Sequence, residues 1–402
     1  MNPLYARIAA FTLIRIALNT LHRMVYPFLA VFGRGLGVDL PALSLALTLR
    51  SALGFFGPFL ASAADSRGRK AGMLLGLALF TLGTSLVVLR PTFPFFVLAL
   101  LLGVMGKYIF DPSMQAYLGD HVQYERRARA VAVTELGWSL SFIAGVPLAG
   151  FLIARQGWMS PFPLLALLGL LSTGLLAWLL PAEPKNAAAS GGLRRNLGAV
   201  LASRTALAGM AIGVLISAAN ESVNLIFGVW MEDAFGLKIA ALGVISAVIG
   251  LSELGGETLA ASFTDFLGKP RAVGIGIVLN TLAGLALPLL GRSESGAAAG
   301  LFLFYLTFEF TLVSSIPLMT ELLPAARATL MAANVAGLSL GRSAGALLAP
   351  ALYALGSQGA APGGLSGILF CSLAAAVLNL GALGALRWLQ KAMRTQEALK
   401  AG

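Results

Sequence analysis

The sequence predicts an all-α membrane protein, twelve transmembrane helices arranged as two pseudo-symmetric six-helix bundles. Three observations carry that reading. Of the 402 residues, 58% are hydrophobic and only 11% are charged, whereas a soluble domain carries about 25% charged residues. Apolar runs long enough to cross a bilayer recur along the whole chain, in two sets of six around one polar stretch. A ten-residue segment closing the second run, Ala61 to Lys70, returns two hundred residues later as Ala261 to Pro270.

The apolar runs lie near residues 6 to 33, 40 to 64, 71 to 90, 94 to 119, 128 to 154 and 161 to 180, then 205 to 232, 238 to 264, 271 to 291, 297 to 321, 327 to 354 and 364 to 390. The first is too long for a signal-peptide core and shows no convincing cleavage site, so it reads as the first span. Residues 181 to 204 form the only polar, Pro/Gly/Ser-bearing stretch of any length. They read as a linker between an N-terminal bundle, 1 to 180, and a C-terminal bundle, 205 to 402. Of the 28 Lys and Arg, five fall in loops on one side (Arg34, Arg90, Arg155, Lys238, Arg292) and five inside spans, leaving eighteen on the side of the termini. That bias puts both termini in the cytoplasm of a cell membrane, inner or plasma.

Both copies of the repeat run from a small residue through Asp, a two-residue spacer and Gly into basic residues. The first holds Asp65, Gly68, Arg69 and Lys70; the second holds Asp265, Gly268, Lys269 and Arg271. Each marks the end of a span and a short, basic turn at the water boundary. Two further segments echo one another: Pro112-Ser-Met114 leads to Ala128-Arg129-Ala130, and Pro317-Leu-Met319 leads to Ala326-Arg327-Ala328. Related halves of this kind place a binding site at their interface near the midplane.

Eleven ionisable residues fall well within spans: Arg15, Arg23, Arg50, Lys107, Asp111, Glu135, Glu221, Glu253, Glu257, Glu309 and Arg342. At about 2.5 to 3.5 kcal/mol each, facing lipid would cost some 30 kcal/mol in all, more than a protein's whole stability. They must face the bundle interior, a water-filled cavity or one another. At about 1.5 Å per residue, seven lie roughly 18 to 24 Å above the cytoplasmic boundary, while Arg15, Asp111, Glu135 and Glu257 lie at roughly 9 to 14 Å. The N-terminal six spans carry four bases and two acids, and the C-terminal six one base and four acids. Arg15, Asn19, His22 and Arg23 share one side of the first span, and Glu253 and Glu257 one side of the eighth. Lys107 and Asp111, four apart, are either a local ion pair beside Pro112 or part of the site. Desolvation disfavours a charged carboxylate unless a cation lies close. Glu221, Glu253, Glu257 and Glu309, in the half poor in bases, are therefore candidates to hold and release a proton, or alternatively structural acids or gate partners of Arg23 or Arg50.

The Asp-x-x-Gly-Arg-Lys loop between spans two and three, with its weaker copy between spans eight and nine, resembles the signature of the major facilitator superfamily of transporters. Ala61 and Ala261 stand where that family prefers Gly, a small-for-small change that keeps close packing possible. The resemblance implies that the loop is a conformational latch. Asp65 would meet the start of span eleven near Arg327, where helix N-H groups favour an anion, and Asp265 would do the same near Arg129. Gly68, Arg69 and Gly268 complete that set. Gly145, Pro147 and Gly150 in span five are similar to the family's antiporter signature, although Val146 and Phe151 occupy two of its glycine positions. They read as either an export signal or small residues for packing. The arginine that many members carry in span four is not at its expected place, and Lys107 lies a little further on. In span eleven Gly337, Gly341 and Gly345 form a packing seam.

Enzymatic chemistry finds no support. Gly364-Leu-Ser366-Gly367 matches an intramembrane protease motif, but the only histidines are His22 and His121, and no phosphate-binding Gly-x-x-x-x-Gly-Lys-Ser/Thr loop exists. Cys371 is alone, so neither disulfide nor zinc spacing is present. The expected function is secondary active transport, first as proton-coupled export of a small amphipathic organic molecule. The alternatives are uptake or exchange of an organic anion drawn to Arg15, Arg23 and Arg50, and a non-transporting sensor or scaffold of the same fold. No cofactor or metal is expected beyond a proton gradient. The expected partners are the bilayer, the substrate and protons, with no nucleic acid, and the protein is expected to be a monomer. Tyr26, Trp138, Phe227, Trp230, Tyr305 and Phe308 are candidates to line an apolar cavity or to anchor and pack.

Overall fold

The computed structural model describes residues 3–57, 68–181, 193–357 and 367–401. Among them every regular element is helical, as the unbroken apolar runs require in lipid, where only a helix satisfies its own backbone. In the first part of the chain these are α1 (Pro3–Arg23), α2 (Leu29–Leu36), α3 (Leu40–Leu53), α4 (Arg69–Leu89), α5 (Phe93–His121), α6 (Tyr124–Leu140), α7 (Val146–Gln156) and α8 (Pro161–Leu179). The second part holds α9 (Leu193–Ala202), α10 (Arg204–Asn224), α11 (Phe227–Phe235), α12 (Ile239–Leu267), α13 (Lys269–Leu290), α14 (Glu294–Leu322), α15 (Arg327–Ser357) and α16 (Leu369–Ala401). With α6 and α7 counted as one span, and α10 and α11 as another, eleven described helical segments are long and apolar enough to cross a membrane. The twelfth expected crossing, 40 to 64, is described only as far as Gly57.

Two compact units emerge, Met1–Ala188 with Leu237–Gly250, and Ala189–Gly236 with Leu251–Gly402. Three details differ from the reading of apolar runs. The first span is not one helix: α1 stops at Arg23 and five turn residues precede α2. Span seven repeats that break at Leu225–Ile226, between α10 and α11. The polar linker contains a helix, α9. Apolarity reports transfer into lipid, not helix continuity, so breaks filled with Met24-Val-Tyr-Pro-Phe28 and with Leu225-Ile226 leave no mark on it, although Pro27 cannot continue a helix.

The repeated glycines have a backbone reason. Gly68 and Gly268 cap the starts of α4 and α13 at φ 94° and 81°, and Gly37 and Gly236 end α2 and α11 at φ 68° and 62°, a region that glycine enters without the cost a Cβ imposes. Surfaces sort as lipid demands. Large exposed side chains include Leu13, Leu89, Trp178 and Phe266, whereas none of the eleven ionisable residues within spans is exposed.

Polar side chains also hold helices together in the second unit. Asn280 of α13 donates to the Phe304 carbonyl at 2.7 Å and to Thr307 Oγ1 at 3.1 Å, and accepts from Asn379 Nδ2 at 2.8 Å. The chain thus ties α13 to α14 and α16. Asn280→Leu is expected to destabilise the protein by about 1 kcal/mol, the scale of interhelical hydrogen bonds in membranes. Unfolding in detergent followed by circular dichroism would measure it.

Candidate functional site

The densest polar cluster of the first unit grows from three helices. α1 contributes Arg15 and Asn19, one turn apart on one face; α5 contributes Lys107 and Asp111, also one turn apart, and Gln115; α6 contributes Glu135. Arg15 forks onto Glu135, Nη1 to Oε1 at 2.8 Å and Nη2 to Oε2 at 2.9 Å. Its Nε faces Asp111 Oδ1 at 3.1 Å, while Asp111 Oδ2 receives Lys107 Nζ at 2.7 Å. Lys107 donates to Asn19 Oδ1 as well, at 2.7 Å, and Gln115 Nε2 to Glu135 Oε1 at 3.1 Å. Two cations and two carboxylates balance. That is how a nonpolar medium tolerates four charges.

Backbone geometry makes the cluster possible. A Cβ on Gly137 would lie 2.8 Å from Arg15 Cβ and 3.1 Å from the Thr12 carbonyl, so only glycine lets α6 approach α1 this closely. The approach exposes α6 carbonyls to the polar face of α1: Arg15 Nη1 donates to Thr134 at 2.8 Å and Asn19 Nδ2 to Gly137 at 3.1 Å. Just beyond, Ser141–Gly145 form a π-helical turn, a local widening that is frequent at functional sites. The cluster is closed on one side only. The Arg15 side chain is 5% exposed and that of Glu135 40%.

Arg23 and Arg50 form a second group. The Arg23 guanidinium carbon lies 3.4 Å from the Phe142 ring centroid and 4.2 Å from that of Trp138, and its Nη1 donates to the Trp138 carbonyl at 3.1 Å. Arg50 follows from the break in span one. Because α1 ends, the Tyr26 N-H turns to the Arg23 carbonyl at 3.3 Å, and Arg50 Nη1 donates to the His22 carbonyl at 2.7 Å. A cation at a helix C-terminus satisfies an orphan carbonyl and the helix dipole together. Arg50 Nη2 also donates to Tyr26 Oη at 2.6 Å.

In the second unit Glu221, Glu253 and Glu309 are buried, and Glu257 and Arg342 half-buried. Asn224 Nδ2 donates to Glu221 Oε2 at 3.1 Å and Tyr305 Oη donates to Asn224 Oδ1 at 2.7 Å, so a Glu-Asn-Tyr relay ends where α10 breaks. A Cβ on Gly256 would lie 2.5 Å from the Leu306 carbonyl and 2.8 Å from Glu309 Cβ, so α12 packs closely on α14 at this glycine, beside Glu309. Gly337, Gly341 and Gly345 lie along α10, where Cβ atoms on the last two would meet the Val214 and Ala218 carbonyls at 2.1 and 2.5 Å. They are the packing seam expected. Gly145 and Gly150 likewise face Thr20 and Phe28.

Asp65 lies outside the described residues. Of the other latch residues, Arg69 Nε meets Asp120 Oδ2 at 3.4 Å across α4 and α5, and the second copy repeats the pairing as Lys269 with Glu321 across α13 and α14. The sequence reading missed both acids, although they stand 201 residues apart at matching helix ends. Arg327 Nε donates to the Thr320 carbonyl at 2.8 Å, while Arg129 and Asp265 are exposed. Lys70, beside Arg69, caps α8 by donating to the Ala177 and Leu180 carbonyls at 2.8 and 2.5 Å.

Comparison with known proteins agrees with this architecture. The uncharacterised MFS-type transporter YceJ of Bacillus subtilis is 26% identical over 317 residues, 76% of this chain and 78% of that one. A match to YwfA of the same organism, 29% identical, spans 35% of this chain and only 34% of that relative. The chloramphenicol resistance protein of Streptomyces lividans is 26% identical over 73% of this chain and 74% of its own. Among solved structures, a bacterial homologue of the human lysosomal transporter Spinster superposes with TM-score 0.73 at 15% identity, covering 98% of this chain and 96% of that one. A family model described as Major Facilitator Superfamily matches residues 11–219. With more than half of its length so matched, this multi-pass membrane protein is no enzyme but a transporter belonging to the Major Facilitator Superfamily.

Proposed function

We propose that the protein exports a small amphipathic organic molecule by alternating access, coupled to proton entry. The observation that carries the coupling is the balanced cluster of Arg15, Lys107, Asp111 and Glu135. Neutralising either carboxylate by protonation strands a cation in a nonpolar setting, so proton binding and the arrangement of α1, α5 and α6 become one equilibrium. Glu135, the most accessible of the four, is the entry point for the proton. Glu221, with its Asn224 and Tyr305 relay, and Glu253, Glu257 and Glu309 supply further carboxylates in the second unit. Export draws support from the similarity to the chloramphenicol resistance protein and, over 26% of this chain at 31% identity, to multidrug resistance protein 2 of Bacillus subtilis. Against uptake of an organic anion stands the state of Arg15, whose charge is already matched by two carboxylates.

Proteoliposomes loaded with chloramphenicol or a fluorescent lipophilic dye test the reading. Efflux should rise with an inward proton gradient, collapse with a protonophore, and lose its pH-gradient dependence by about tenfold or more in Glu135→Gln, as removal of a positioned proton-transfer group does elsewhere. Protonophore-insensitive efflux, or full gradient dependence in Glu135→Gln, Asp111→Asn and all four Glu→Gln variants of the second unit, would overturn it.

A further inference from the structure

The two units carry the same notch, filled in one and open in the other. In the first, Lys70 in the opening turn of α4 reaches the end of α8 and donates to two of its last carbonyls. Two hundred residues on, Pro270 stands in its place, with neither a charge nor an N-H to offer. The facing helix α16 does not stop as α8 does but runs on to Ala401. What remains is a cavity of about 280 Å³ with an apolar floor of Leu267, Pro270 and Met393 and a polar rim of Arg271, Gln390 and Arg394. Both arginines are exposed. Neither has a hydrogen-bond or ion-pair partner among the described residues.

The depth of the notch selects its occupant. About 20 helical residues cross the hydrocarbon core, so counting from Leu369, the start of α16, the crossing ends near Trp388. That side chain is 45% exposed, as an interfacial anchor is. Gln390, Met393 and Arg394 therefore lie one turn further, where lipid phosphates lie, and Arg271 lies at the same level in the first turn of α13. We propose that this notch binds the phosphate of an anionic phospholipid. Its two guanidinium forks match phosphate oxygens, and its apolar floor takes the glycerol and the first methylenes of the chains. Free phosphate would gain the arginines but would set charge against Leu267, Pro270 and Met393.

The test titrates the full-length protein in non-ionic detergent with phosphatidylglycerol, phosphatidylcholine or inorganic phosphate and follows thermal unfolding. Phosphatidylglycerol should raise the unfolding temperature with a saturable dependence that the other two do not reproduce. Arg271→Gln/Arg394→Gln should weaken the apparent affinity about thirtyfold, and each single change about fivefold. The charge-matched pair Arg126→Gln/Arg204→Gln should leave it unchanged. Unfolding without lipid shows that each variant is folded; if the double variant is not, the single variants carry the comparison. Equal weakening in the charge-matched pair, undiminished affinity in the notch variants, no effect of phosphatidylglycerol, or an equal effect of inorganic phosphate would each overturn the proposal.

Discussion

Replacing Arg15 by methionine is expected to cost about 3 to 5 kcal/mol of stability, the penalty for stranding partners of a buried ion pair, and to abolish transport. The loss is large because this one guanidinium serves Glu135 through both terminal nitrogens, Asp111 through Nε and the Thr134 carbonyl besides. Removing it leaves Lys107 alone to balance two carboxylates. Arg15→Met/Glu135→Leu should therefore be less destabilised than the sum of its single variants, since the second change removes one stranded charge. Chemical unfolding in detergent, read as a double-mutant cycle, measures the difference. Additive costs would mean that the cluster is not one unit.

The second large effect is expected at Gly341. A Cβ there would lie 2.1 Å from the Val214 carbonyl and 3.0 Å from Ser217 Cβ, both on α10, where a backbone atom cannot move aside as a flexible side chain can. Gly341→Leu should force α15 away from α10 and cost about 3 kcal/mol or more, with a fall in monodisperse protein on size-exclusion chromatography. Gly384→Leu on α16 is the control, because a Cβ there meets nothing within 4 Å. The seam also positions Glu221: a Cβ at Gly345 would meet Glu221 Cβ at 2.8 Å. A tolerated Gly341→Leu would show that the contact is not needed for folding.

Lys107 and Asp111 show how far spacing reaches. Four residues apart on one helix, they were legible as an ion pair, and the structure pairs them at 2.7 Å. Sequence spacing could not reveal that Arg15 and Asn19 join them, because contacts between helices depend on which faces meet. The one local sign was Gly137, whose missing side chain lets α1 and α6 close. Arg50 is a sharper case. As a charge in an apolar run it read as a cavity residue, yet it caps the carbonyl exposed where α1 breaks; hydropathy does not announce that break, and its one local sign is Pro27.

By itself the sequence determined the membrane setting, the helical class, the twofold repeat and the demand that eleven ionisable groups avoid lipid. These follow from transfer free energy and periodicity, which each residue carries locally. Tertiary structure alone decided how the charges are shared: Arg15 between two acids, Asp111 between two bases, Lys70 spent on a helix end while its counterpart notch stays open. The physical reason is distance. Coulomb and hydrogen-bond energies fall steeply over a few ångströms, and separations of that size are fixed only when helices distant in sequence pack together.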